Sequence, residues 1–105
     1  MTTVYNKLVR DRIPDIIEAD GETPITERVV DDAYHEALRE KLDEEVAEYQ
    51  ETGDVEELAD VLEVVYALGE QQGVDRSALE EKREQKRAER GGFDRGIVLK
   101  RVEAE

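Results

Sequence analysis

Residues 32–72 read DAYHEALREKLDEEVAEYQETGDVEELADVLEVVYALGEQQ, and this stretch decides the fold. Turned at about 100° per residue, its first part, near 32–51, places Tyr34, Leu38, Leu42 and Tyr49 on one apolar stripe, with Val46 at the edge. Its second part, near 54–72, spreads Val55, Leu58, Val61, Leu62, Val65, Tyr66 and Leu68 over one broad arc, extended by Val64 and Ala67. The clearly polar stripe there is Glu56, Glu63 and Glu70. Between the two parts, Thr52-Gly53-Asp54 is a tight turn, so the two long helices are expected to be antiparallel neighbours. A helix apolar over most of its girth cannot be covered by one neighbour. The expected architecture is therefore mainly all-α: an antiparallel helical hairpin that completes a four-helix-type core in a homodimer or higher homo-oligomer.

The flanks of the hairpin are less regular. Residues 1–13 combine Leu8, Val9 and Ile13 with Lys7, Arg10 and Arg12. Pro14 fits the first turn of a short helix to Ala19, which Asp20-Gly21 ends. Ile25 to Val30 alternates weakly, as does Ile97 to Val102, so two short strands, 25–30 and 97–102, are expected to pair. Asp31 or Asp32 is positioned to cap the first long helix, and Gly73 closes the second. Ser77-x-x-Glu80 reads as a capping box opening a third, highly charged helix to about Glu89. Lys82, Lys86 and Arg90 share one face of it at i,i+4 spacing. Residues 1–105 form a single domain, with no repeats.

Composition excludes several classes. The chain has no cysteine, which rules out disulfides, thiol nucleophiles and Cys-ligated zinc. No apolar run approaches the roughly 20 residues of a membrane span, and the amino terminus lacks the apolar core of a signal peptide, so a cytoplasmic protein is expected. Net charge is −14, with 29 acidic against 15 basic residues. That argues against binding to nucleic acid or an anionic membrane, and it matches the acidic surfaces of proteins from high-salt cytoplasm. Charge is segregated as well: three bases cluster at the start, nine lie from Arg76 onward, and the middle is almost purely acidic. Such a chain can fold basic ends over an acidic centre.

Within that centre, Glu45-x-x-Glu48 and Glu57-x-x-Asp60 each put two carboxylates on one helix face. Spacing alone says little in so acidic a chain; Glu48/Glu51 and Asp60/Glu63 share it. Direction says more. Glu45 falls inside the apolar stripe near Leu38, and Glu48 lies at its border. Glu57 and Asp60 point with Val64 and Ala67, away from the polar stripe. Asp54 resembles an N-cap, so Glu57 is open to two roles: reaching back to complete a capping box, or facing the other acids. No Lys or Arg occurs between Leu42 and Asp75. Inward-facing carboxylates without local bases repel one another and call for a hard divalent cation such as Mg²⁺.

The motif Lys41-Leu42-x-Glu44-Glu45-Val46-x-Glu48, followed by Glu56-Glu57-Leu58-Ala59-Asp60-Val61-Leu62, resembles the MazG-type all-α nucleoside triphosphate pyrophosphohydrolases. The opening Tyr5-Asn6-Lys7-Leu8-Val9-Arg10-Asp11-x-Ile13-Pro14 and the closing Lys86-x-x-x-Arg90-Gly91-Gly92-Phe93 resemble a small single-domain, phosphoribosyl-ATP pyrophosphohydrolase-like branch. The resemblance runs nearly end to end. It implies Mg²⁺-dependent cleavage of a nucleoside triphosphate to monophosphate and pyrophosphate, as in clearing surplus or non-standard nucleotides. It further implies that Glu45, Glu48, Glu57 and Asp60 hold Mg²⁺, that Glu48 serves as general base, and that Lys7, Arg10, Lys86 and Arg90 neutralise the triphosphate. Only eight residues separate Glu48 from Glu57, a shorter connection than many relatives have, which leaves the base unspecified. The same residues also fit a non-catalytic helical dimer that binds nucleotide or a protein partner and uses metal for stability.

Overall fold

The computed structural model of the chain describes residues 2–104. Its elements are helices: α1 (Ile13–Ala19), α2 (Asp31–Thr52), α3 (Val55–Gln71) and α4 (Arg76–Arg90). The two long helices follow the apolar periodicities of the sequence to within a residue or two. Gly53 ends α2 in the left-handed region, at φ 70°, where a side chain would be strained, and its N–H donates to the Tyr49 carbonyl at 2.7 Å. With only Gly53 and Asp54 between them, α2 and α3 run back along one another. The far end of the hairpin is tied by His35 Nδ1 and Gln71 Oε1, 2.7 Å apart.

Two helix starts and the two flanking segments depart from expectation. No side chain caps α2; Asp31 instead takes φ 52° at its start, a conformation Asp tolerates better than most residues. Ser77 is not the cap of α4. That role falls to Asp75, whose carboxylate accepts from the Ala78 N–H at 2.9 Å, while Glu80 pairs with Arg83. The expected strands at 25–30 and 97–102 do not form, and no strand exists among the described residues. Ile25, Val30, Ile97, Val98, Leu99 and Val102 are all exposed, and the two segments do not pair. A weakly alternating segment without a partner has nowhere to place its backbone hydrogen bonds except in water.

The core is thin. Leu38 of α2 and Val64 of α3 are the buried apolar residues, at the centre of the hairpin seam. Leu42, Val65, Leu68 and Leu79 line an open cleft of about 450 Å³ where α4 leaves α3. Val46, Val55, Leu58 and Leu62 face solvent. A compact chain of 12.0 kDa exposes about 6,000 Å²; this one exposes 9685 Å². Its radius of gyration is 18.6 Å, with a longest extent of 67 Å, where a compact chain of this length has about 13 Å. No helix among the described residues is long and apolar enough to cross a membrane.

Because so few side chains are fully enclosed, each matters. Leu38→Ala is expected to lower stability by about 2–5 kcal/mol in urea unfolding, the range for emptying a packed leucine site. Glu81→Ala, on the exposed face of α4, is expected to change it by less than about 0.5 kcal/mol.

Candidate metal centre

One charged residue is buried alongside Leu38 and Val64: Glu45, on the same face of α2. Its neighbours across the seam come from α3. Glu45, Glu57 and Asp60 each offer a carboxylate oxygen such that the three lie within 4.8 Å of one another. The helical spacing explains the convergence. Residues 57, 60 and 64 share a face of α3, and the burial of Val64 against α2 carries Glu57 and Asp60 to the seam with it.

Glu48 stands just outside this triad. Its carboxylate sets a further negative charge beside Glu57. Partial burial first, then the neighbouring Glu48, then Asp60 and Glu45, push the Glu57 carboxyl above its usual range. The capping role considered for Glu57 is not taken. Asp54 makes no side-chain cap bond, and its N–H, the group a capping-box Glu57 would reach, donates to Thr52 Oγ1 at 3.1 Å. Glu57 is left to face the other acids.

The expectation that these acids lack local bases is corrected. Lys41 lies one residue outside the base-free interval and one helical turn before Glu45. Its Nζ sits 3.0 Å from Glu45 Oε1 and 3.4 Å from Glu44 Oε1. Although burial opposes it, the two carboxylates hold the Lys41 ammonium above its usual range. Glu44 is correspondingly lowered: desolvation opposes the shift, and Lys7 and Lys41 outweigh it. The i,i+4 spacing of Lys41 and Glu45 is the sequence signal for this pair.

Even so, the compensation is incomplete. Glu45 Oε2 is buried and has no hydrogen-bond partner, on a side chain only 9% exposed. A buried carboxylate oxygen left bare is costly. A hard cation would satisfy it, and an all-oxygen donor set suits hard divalent ions such as Mg²⁺, Ca²⁺ or Mn²⁺ rather than a softer metal. The residues present therefore fit a divalent cation, with Glu45, Glu57 and Asp60 as the donors the fold brings together and Glu48 beside them.

Of the bases named from sequence, the amino-terminal two reach the acids. Arg10 Nη2 lies 2.7 Å from Asp60 Oδ1, and Lys7 Nζ lies 3.2 Å from Glu44 Oε1. Lys86 and Arg90 are exposed on α4 and form no ion pair with the cluster among the described residues. The segment around Arg10 and the seam enclose a cleft of about 500 Å³ that reaches Glu45, Asp60 and Lys41. The structure also shows an aromatic contact that no sequence pattern announces: the Arg76 guanidinium lies 4.0 Å from the centre of the Tyr66 ring, fastening the start of α4 to α3.

No protein-family model matches the chain, and no solved structure matches it. Over 42 residues it is 60% identical to an uncharacterized protein of Mycolicibacterium smegmatis, a match that covers 40% of this chain and 43% of that protein.

The carboxyl shifts set opposite pH responses in the metal-free protein. A carboxyl raised in the fold, Glu57, destabilises when ionised. Lowering pH through its folded pKa towards the ordinary Glu value should therefore raise stability. Glu44, lowered in the fold, contributes stability that is present above its unfolded pKa and lost as pH falls through its folded one. Thermal melting across mildly acidic pH is expected to show the first gain in the native chain and not in Glu57→Gln. Identical profiles would contradict the assignment.

Proposed function

We propose that this chain is a Mg²⁺-dependent nucleoside triphosphate pyrophosphohydrolase of the MazG type, converting a triphosphate to monophosphate and pyrophosphate. The observation that carries the reading is the buried, half-satisfied Glu45 carboxylate at the head of a three-carboxylate cluster, with basic side chains on the rim of the same cleft. Acids on one side and Lys/Arg on the other is the arrangement that a metal-bound polyphosphate requires.

Glu45, Glu57 and Asp60 would hold Mg²⁺, which when bound polarises phosphoryl oxygens and favours ionisation of a water. In hydrolysis a water oxygen bonds to phosphorus, the bridging P–O bond of the α,β anhydride breaks, and the water's proton passes to a carboxylate. Glu48 suits the role of proton acceptor, because its carboxylate stands beside the cluster. Arg10, which lines the cleft, and Lys7, paired with Glu44, would neutralise phosphate charge. Lys86 and Arg90 would join them through a second copy or a movement of α4.

A homodimer belongs to the same proposal. The exposed Val46, Val55, Leu58 and Leu62 and the large excess of accessible surface are what a helical hairpin shows when its other half is another copy. The cytoplasm, where nucleotides are abundant, is the expected location.

Pyrophosphate release from a panel of nucleoside triphosphates with Mg²⁺ tests the activity. Turnover is expected of the native chain, falling by about 10²-fold or more in Glu45→Gln and Asp60→Asn, as for loss of a metal ligand. Binding of Mg²⁺ or nucleotide in calorimetry with no turnover of any triphosphate would favour the non-catalytic dimer.

A further inference from the structure

The amino-terminal segment, residues 2–12, crosses the mouth of the cluster without regular structure. No backbone hydrogen bond ties residues 2–9 to the helices among the described residues. What holds the segment is Leu8 and Val9, half-buried in the cleft, and two ion pairs to partners distant in sequence: Arg10 with Asp60 and Lys7 with Glu44. Arg10 also stands 4.0 Å from Glu63 Oε1. The guanidinium thus lies against one of the three carboxylates assigned to the cation, while Glu45 keeps one oxygen bare.

We propose that Arg10 is the resident counter-ion of the cluster, that a divalent cation displaces it from Asp60, and that the freed guanidinium turns to the phosphates of the substrate. The proposal rests on the metal reading of the site. Its physics is competition for one carboxylate. Arg10 is 54% exposed and Asp60 39%, so water screens their pair and makes it weak. A cation bound by several carboxylates wins that exchange, and two positive groups at one carboxylate repel each other. Once displaced, the planar guanidinium is suited to a phosphate's paired oxygens, on a segment anchored at its end by the Ile13 N–H, which donates to the Arg10 carbonyl, and free of backbone bonds to the helices over residues 2–9. The amino-terminal segment then acts as a latch: closed over the metal-free acids, open when metal arrives, and drawn back by the polyphosphate.

The chain has no cysteine of its own, so nitroxide labels at Val4→Cys and Gln50→Cys, both exposed positions, report the distance from the segment to α2. In pulsed dipolar measurements the metal-free protein is expected to give a narrow distribution that broadens on adding Mg²⁺, with the same midpoint as calorimetric Mg²⁺ binding. In the Arg10→Met background the distribution should be broad from the start, and Mg²⁺ should bind about twofold to fivefold more tightly, as expected when a weak exposed competitor is removed. Arg10→Lys, which keeps the charge and loses the fork, should stay closer to the native affinity. An unchanged distribution through Mg²⁺ saturation, or equal affinity in native and Arg10→Met chains, overturns the latch and leaves the metal site standing. No Mg²⁺ binding in any of these chains overturns both.

Discussion

One oxygen of Glu45 is paired with Lys41 and the other with nothing, at the centre of the seam that holds the molecule together. That imbalance governs the rest. The seam is where Leu38 and Val64 make most of the core, and the carboxylate is buried alongside them. Leaving it bare costs energy the small core can hardly spare. The fold answers partly with its own bases, Lys41 from the same helix and Arg10 and Lys7 from the amino-terminal segment. The proposed divalent cation would complete the answer, and the proposed chemistry follows from what such a cation shares with a polyphosphate.

The thin core and the site are two sides of one arrangement. A hairpin with acids in its seam has little room there for apolar packing, so its remaining apolar surface lies on the outside, at Val46, Val55, Leu58 and Leu62. In the proposed dimer that outer surface supplies the stability the inner seam gives up. The highly acidic exterior adds self-repulsion, which salt screens and which the proposed cation would locally relieve.

Much of this is legible in the sequence. The apolar period of α2 and α3 and the Gly53 turn locate the hairpin, because a side chain's direction on a helix follows from its position alone. The same rule shows Glu45 facing Leu38, and the structure buries both. Pairing is harder to read. Lys41 falls one residue before the base-free interval, yet its i,i+4 relation to Glu45 puts the two side chains in reach of each other. The role of Glu57 depends on which way one rotamer turns, and a hydroxyl on Thr52 settles it by taking the Asp54 N–H. The strands expected at 25–30 and 97–102 fail because alternation shows what a strand would look like and not whether a partner is there to receive it. Contacts such as Arg10 with Asp60, fifty residues apart, arise only once the hairpin exists.

The central claim, that the seam carboxylates hold a divalent cation, is tested most directly with Mn²⁺ as a paramagnetic stand-in for Mg²⁺. Titrating the protein and following the electron spin resonance of free aqueous Mn²⁺ gives occupancy without reference to any activity. The account predicts a saturable site on each chain, displaced by Mg²⁺ and abolished in Glu45→Gln. A free-ion signal that rises in proportion to added Mn²⁺ from the first addition, or one equally depleted by the native chain and by Glu45→Gln, would contradict it.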